Sequence, residues 1–240
     1  TSYHLKDNLI NNIPNFSGNY SFKTMISPKI GIVYKNSLST MLYGSISHGF
    51  SPPTLEETLL PDGLINSTIE PESGWNYEIG SRGQLFKNTV YFDIAIYRMN
   101  VKNLLVARRT SNDEYMGVNA GKTQYNGLEF TLKNTFIKTK NITLFGFHSF
   151  AFNDFKFKKF IDDSNDYSNN LLTGVPKLTY NATIGLESLN GFYTSVNYSF
   201  VGEIPLRDDN SVYSDEYQII NTQFGYQSNT NNNFQYNFLV

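Results

Sequence analysis

The sequence predicts an all-β chain, an antiparallel up-and-down β-barrel of the transmembrane kind, present as a partial barrel of about ten strands. Three observations predict it. Side chains alternate with period two along most of the chain, as strand residues do. Connections alternate strictly between short and long. No window holds an apolar stripe at i, i+3, i+4 and i+7 over three turns, so helices are not expected.

In chain order, alternation covers 28–34, 39–50 and 75–86 before its clearest stretch at Val90–Tyr97. There Val90, Phe92, Ile94 and Ile96 form one phase and Tyr91, Asp93, Ala95 and Tyr97 the other. Leu128, Phe130 and Leu132 repeat the pattern against Glu129, Thr131 and Lys133, and 142–154 follows. Leu178, Tyr180, Ala182, Ile184 and Leu186 then oppose Thr179, Asn181, Thr183, Gly185 and Glu187. Phe192, Thr194, Val196, Tyr198 and Phe200 oppose Tyr193, Ser195, Asn197 and Ser199, and 217–227 and 234–240 close the series. Short connections are expected at Lys35–Leu38, Phe86–Asn88, Asn134–Asn141, Ser188–Gly191 and Ser228–Asn233. Long ones are expected at Ser51–Glu70, Met99–Gly117, Phe155–Thr173 and Glu203–Glu216. In a meander this order sends every short turn to one end and every long loop to the other, the asymmetry of outer-membrane barrels. A β-sandwich, with Greek-key crossovers, mixes lengths at both ends.

Alternation alone does not say which face is dry. The polar phase is rich in small polar residues and tyrosine and carries mid-strand charges at Glu78, Arg82, Asp93, Glu129 and Glu187, which a polar lumen tolerates. Phe192 and Phe200, eight residues apart, would stand roughly 20 Å apart along a membrane normal at ~40° strand tilt, close to the apolar band between aromatic girdles. The apolar phase is therefore expected to face lipid. The alternative is a soluble carbohydrate-binding sandwich, in which the same residues meet in a core.

Composition narrows the function. The 240 residues carry a net charge of −2 with a sequence pI near 5.9, so there is no basic stripe for nucleic acid. There is no cysteine, hence no disulfide framework or cysteine nucleophile. Only 17% of residues are charged, and mean hydropathy is −0.36. No apolar run reaches the ~18 residues of a spanning helix. No catalytic constellation is visible: Glu56-Glu57 and Asp208-Asp209 are loop neighbours with nothing to set an acid against a base. No enzyme activity and no cofactor are expected. Asp162-Asp163-Ser164-Asn165-Asp166 lacks the glycine and glutamate of a calcium loop, having Tyr167 and Thr173 at those positions.

The segment Gly49-Phe50-Ser51-Pro52-Pro53-Thr54-Leu55-Glu56-Glu57 ends a strand abruptly, because consecutive prolines cannot join a ladder. It resembles the G-F-R-A-P-T-x-x-E-L segment of TonB-dependent outer-membrane receptors, with Ser51 and Pro52 where that family has Arg and Ala. Asn66, Ile69, Pro71, Glu72, Glu78 and Gly80 fall on the family's N-x-x-L-x-P-E-x-x-x-x-x-E-x-G segment. Ala120-Gly121 through Gly127-Leu128-Glu129 is similar to a third, and Gly174-Val175-Pro176-Lys177 to a later loop-to-strand junction. Together these cover about residues 28 to 227.

The resemblance implies a barrel of about 22 strands closed by a plug. It also implies opening by the energy-coupling TonB complex and a place in the cell outer membrane of a Gram-negative bacterium, against outer-membrane lipid. Residues 1–240 are expected to be the C-terminal part of such a barrel, a fragment without the plug, the partner-binding box or the terminal strand. Such receptors mostly import ferric siderophores; cobalamin and oligosaccharides are the alternatives. Haem is disfavoured, because residues 54–65 hold no histidine, and His48 is expected to be a wall residue near an interface. The ligand-binding candidates are Arg108, Arg109 and Tyr115 in one long loop and Arg207 and Tyr213 in another, through charge-assisted bonds and cation–π contacts. The plug-facing lumen candidates are Glu72, Glu78, Arg82, Asp93 and Glu129.

Overall fold

The computed structural model describes residues 2–5, 17–109, 114–119, 121–162, 165–228 and 237–239, in backbone only for 2–5, 109 and 237–239. A small pair, β1 (Ser2–Leu5) and β2 (Gly18–Ser21), comes first. The main wall begins with β3 (Lys29–Lys35), β4 (Thr40–Ser51), β5 (Glu72–Leu85) and β6 (Val90–Lys102). A hairpin of β7 (Leu105–Arg109) and β8 (Tyr115–Asn119) precedes the longest strands, β9 (Lys122–Lys138) and β10 (Ile142–Lys159). A minimal hairpin, β11 (Ile161–Asp162) with β12 (Asn165–Asp166), follows. The wall ends with β13 (Leu178–Ser188), β14 (Phe192–Val201), β15 (Tyr217–Gln227) and β16 (Asn237–Leu239).

Ten strands form one antiparallel sheet in the order β16-β15-β14-β13-β10-β9-β6-β5-β4-β3. Each wall strand thus pairs with the next wall strand in the chain, which is the expected up-and-down meander. The small hairpins belong to separate two-stranded sheets and lie in the connections. No second sheet stacks on the wall, so the sandwich alternative is not what the chain forms. Strand limits differ from the sequence-based ones at three places. β6 runs on to Lys102, β9 to Lys138 and β10 to Lys159. The Met99–Gly117 and Phe155–Thr173 loops accordingly begin later than expected, and the short turn after β9 shrinks to 139–141.

Register rows show the two faces. Tyr43, Gly80, Ala95 and Glu129 are successive cross-strand partners, as are Arg82, Asp93, Thr131 and Ser149. This is the polar phase. Ile79, Ile96, Leu128 and Phe152 form a row of the other phase. Its members stay uncovered: Ile32 is 74% exposed, Ile79 65%, Ile184 53% and Val196 47%. In water such a face would forfeit roughly 25 cal/mol for every Å² left unburied; hydrocarbon removes that penalty. Among the described residues the buried apolar side chains are Ile69, Phe157, Phe160 and Leu172, and all four belong to the long-loop end rather than to a core between sheets.

A recurrent device shapes the polar face. Tyr43 lies directly across from Gly80, Tyr97 from Gly127, Phe145 from Gly185 and Tyr193 from Gly225. A Cβ built on these glycines would fall 2.4, 2.2, 2.3 and 2.1 Å from the nearest ring atom, so each ring lies down over the bare backbone opposite. Aromatic cover of a strand glycine restores packing that the missing side chain would leave open.

Candidate functional site

The long connections gather at one end of the wall and are knitted together from residues 52 to 216. In the first, Thr54 and Glu57 form a capping-box arrangement. The Glu57 carboxylate accepts from Thr54 N–H at 2.7 Å and from its hydroxyl at 3.0 Å, while Glu57 N–H donates to Thr54 Oγ1 at 3.3 Å. Thr58 is fully buried one residue on and gives its hydroxyl to Leu55 O at 2.6 Å. Asn66 then acts as a clamp. Its Nδ2 donates to Gly117 O at 3.1 Å, while its Oδ1 accepts from Thr68 N–H at 3.1 Å and Thr68 Oγ1 at 2.6 Å.

The β7–β8 hairpin docks on this segment. Asn119 Oδ1 accepts from Glu70 N–H at 2.7 Å, and its amide donates to Glu70 O and Asn103 O, both at 2.9 Å. Glu72 Oε1 accepts the Leu105 N–H at 2.6 Å, a charge-assisted bond. Gly117 has no room for a side chain, since a Cβ there would stand 2.4 Å from Glu57 O and 3.0 Å from Ile69 Cδ1. The hairpin also closes on the third loop. Leu104 and Val106 pack on a cluster of Phe157, Phe160 and Leu172, with Tyr125, Phe155 and Tyr167 around it. The Phe157 and Phe160 rings are 4.6 Å apart. The third loop is tied in turn to the fourth. Leu171 N–H donates to Asn210 Oδ1 at 2.7 Å, Asn210 Nδ2 to Leu171 O at 3.0 Å, and Asn170 Nδ2 to Asp208 O at 2.8 Å.

The expected ligand residues fall into two groups. Arg108, on β7, reaches Asp162 on β11 with Nε to Oδ1 at 2.7 Å, an ion pair without hydrogen-bond alignment. Both side chains are about a third exposed, so the pair contributes under ~1 kcal/mol. The Arg109 side chain lies outside the described residues; its backbone pairs with Tyr115, which is exposed at the start of β8. Arg207 and Tyr213 are exposed in the fourth loop, where Tyr213 bridges back to Pro205. In the same loop Asp209 accepts from Ser211 N–H at 2.9 Å and Ser211 Oγ at 2.7 Å. The Ser211 hydroxyl, then its N–H, hold the Asp209 carboxyl below the usual carboxylate range. Ser168 does the same for Asp166.

Of the expected lumen residues, Glu78, Arg82, Asp93 and Glu129 all lie on the polar face of the wall. Arg82 and Asp93 are direct register partners, and the Arg82 guanidinium lies 4.8 Å over the Tyr43 ring. Glu78, Asp93 and Glu129 line a depression of about 440 Å³ with Tyr43, Tyr97 and Thr131. Glu72 shares the face but holds the β7 backbone. His48 is on the apolar face, its Nδ1 2.9 Å from Ile26 O and its ring 5.0 Å from that of Trp75, as a wall residue near an interface would be. Asp163 and Ser164 of the acidic stretch lie outside the described residues, and among those described no group of three His, Asp or Glu side chains is placed to hold a metal.

The loop-fastening residues Thr54, Asn66, Asn119 and Asn210 were not singled out for that role from the sequence. Thr54-Leu55-Glu56-Glu57 carries a visible signal, the S/T-x-x-E capping pattern. Phe155-x-Phe157-x-x-Phe160 is a second, apolar punctuation inside a polar stretch. The asparagine clamps have no local signature, because their partners lie 39 to 51 residues away.

Comparison with known proteins agrees with this architecture. The family model described as TonB dependent receptor-like, beta-barrel matches residues 1–238. The chain superposes on the siderophore receptor PiuA from Acinetobacter baumannii with a TM-score of 0.65 and 19% identity, over 86% of this chain and 30% of that one. For the ferric-catecholate import receptor Fiu from E. coli K12 the TM-score is 0.62 at 17% identity, over 92% and 30%. The copper transporter OprC gives 0.62 at 15%, over 86% and 31%. The chain thus spans about three-tenths of the solved structures it matches, and at these identities the likeness concerns fold. With the family model covering nearly every residue, the chain belongs to the TonB-dependent receptors as part of their β-barrel, a family of outer-membrane transporters rather than enzymes.

Proposed function

We propose that this chain is the C-terminal part of the barrel of an outer-membrane receptor that takes up a ferric siderophore. The observation that supports this best is the fastened loop end, which presents Arg207, Tyr213 and Tyr115 to solvent beyond a polar, charged lumen face. Anionic, aromatic-rich iron chelates suit that chemistry, through charge-assisted bonds from Arg207 and ring contacts from the tyrosines. Arg109 joins this set, and Arg108 joins it by exchanging Asp162 for ligand. PiuA is a siderophore receptor and Fiu a ferric-catecholate import receptor, which favours the same ligand class.

The wall itself performs no chemistry. Its apolar phase is solvated by outer-membrane lipid. Glu78, Arg82, Asp93 and Glu129 hold a plug supplied elsewhere in the polypeptide, with Glu72 steadying the loop above it. The energy-coupling TonB complex acts through that plug and the region preceding it.

Binding to the intact receptor tests the assignment, with iron-loaded siderophores, cobalamin and oligosaccharides titrated in turn. A ferric siderophore is expected to bind, and Arg207→Gln with Tyr213→Ala to weaken it roughly tenfold or more, as loss of a charged hydrogen bond does. Tight binding of another class with no ferric ligand bound overturns the substrate assignment.

A further inference from the structure

On the apolar face the wall changes character row by row toward the loop end. The row Ile79-Ile96-Leu128-Phe152 is followed by Tyr77-Arg98-Asn126-Asp154, then by Trp75-Asn100-Gln124-Lys156, and then by Ser73-Lys102-Lys122-Lys159. Three lysines therefore stand side by side on β6, β9 and β10, all exposed. A β-bulge between Phe157 and Lys159 brings Lys159 into this row and adds Lys158 beside it. Like charges directly across a ladder are destabilising, because their Cβ atoms are only ~5 Å apart. Among the described residues no carboxylate pairs with any of the three. The nearest acid of this face, Asp154, is bound to Lys156 at 2.8 Å, and Arg98 Nε is bound to Asn126 Oδ1 at 2.7 Å. An unneutralised lysine row next to a lipid-facing band calls for an external anion.

Below the row lies the largest hollow of the chain, about 1050 Å³, lined on this same face by Ile30, Ile46, Ile79, Ile96, Leu128 and Phe152 and ending at Arg98 and Asn126. Four residues separate Arg98 from Lys102, roughly 13 Å along the strand and about 10 Å along the normal at ~40° tilt. Flexible lysine stems bend back over that distance toward the headgroup level.

We propose that this surface is a specific site for a phosphate-bearing lipid of the outer leaflet. The acyl chains lie in the Ile30–Phe152 trough, and the headgroup phosphates are held by Lys102, Lys122 and Lys159, with Lys156 and Arg98 at the lower edge. The inference rests on the outward, lipid-facing assignment of the apolar phase. Its charge pattern is complementary to an amphiphile with several negative charges in the headgroup and to no neutral lipid.

The test uses the intact receptor, delipidated in detergent and titrated with diphosphoryl lipid A and with the same lipid dephosphorylated, with bound lipid read by native mass spectrometry. Wild type is expected to prefer the phosphorylated form. Each basic residue near a membrane surface contributes about fivefold, so Lys102→Gln/Lys122→Gln/Lys159→Gln should lose on the order of 100-fold for that form and little for the other. The triple Lys→Arg variant should keep the preference, and Lys133→Gln, on the polar face, should not alter it. Folding of each variant is checked by heat-modifiable gel mobility. Equal binding of the two lipids, or a triple Gln variant that binds like wild type, overturns the proposal while leaving the barrel assignment intact. A receptor that fails to enter phosphatidylcholine vesicles at all overturns the lipid-facing assignment, and this site with it.

Discussion

The rings laid over glycines on the polar face provide the sharpest test of the wall's packing, and Gly127 is the cleanest of them. A Cβ there would meet Tyr97 alone: Cζ at 2.2 Å, Oη at 2.4 Å and Cε1 at 2.5 Å. Carbon atoms settle at ~3.5 Å or more, so Gly127→Ala must lift the ring by roughly 1.3 Å. Off-rotamer strain and lost contact put the cost of such overpacking at about 1–3 kcal/mol. Alanine recovers ~0.5–1 kcal/mol through strand entropy, leaving a net loss of about 1–2 kcal/mol. Gly49→Ala is the matched control, since nothing lies within 4 Å of the Cβ it would add. It should be neutral or slightly stabilising. Guanidinium unfolding of the intact receptor in detergent, followed by circular dichroism, should separate the two variants by about 2 kcal/mol. In a Tyr97→Ala background the Gly127→Ala penalty should vanish, a coupling that a double-mutant cycle reads directly. If Gly127→Ala matches Gly49→Ala in both backgrounds, the ring does not lie where the packing argument requires it.

Four further outcomes are expected. Glu72→Ala leaves the Leu105 N–H without its acceptor, at about 1–3 kcal/mol locally, so amide exchange should rise at least tenfold across residues 105–119 while the wall strands stay protected. Thr123 is buried with a hydroxyl that finds no partner among the described residues; Thr123→Val should stabilise the intact receptor by about 1 kcal/mol, read as a higher unfolding midpoint. Asp209 has a folded-state pKa below its unfolded one, so its contribution is present above the ordinary carboxylate range and is lost as pH falls through the folded value. Protection factors in residues 205–213 should therefore drop on acidification from neutrality, and Asp209→Asn should flatten that dependence. The 240-residue chain alone leaves β3, exposed along its whole length, as an unpaired edge, so it should give no heat-modifiable folded band in vesicles.

The wall was legible because its determinants are local. Val90–Tyr97 states its alternation in eight consecutive residues, and the observed β6 preserves that phase for Val90 to Asn100 and beyond. Turn chemistry placed the short connections within a few residues. The end of β9 was missed because Phe136-Ile137 continues the strand past Asn134, a residue that reads as a turn former. The loop end was far less legible. Arg108 looks like a free cation until Asp162 is brought to it from 54 positions away. The β7–β8 hairpin likewise depends on Asn66, Glu70 and Glu72, which precede it by more than 30 residues. Such partners are set by closure of the whole sheet, not by neighbours in sequence.

The laid-down rings have a consequence for traffic. A tyrosine standing upright from the inner surface would reach well into the lumen; Tyr43, Tyr97, Phe145 and Tyr193 instead lie flush with the backbone across from them. The inner wall is thereby tiled rather than bristled at four heights, which widens the clearance for a bulky cargo and offers a shifting plug few knobs to catch on.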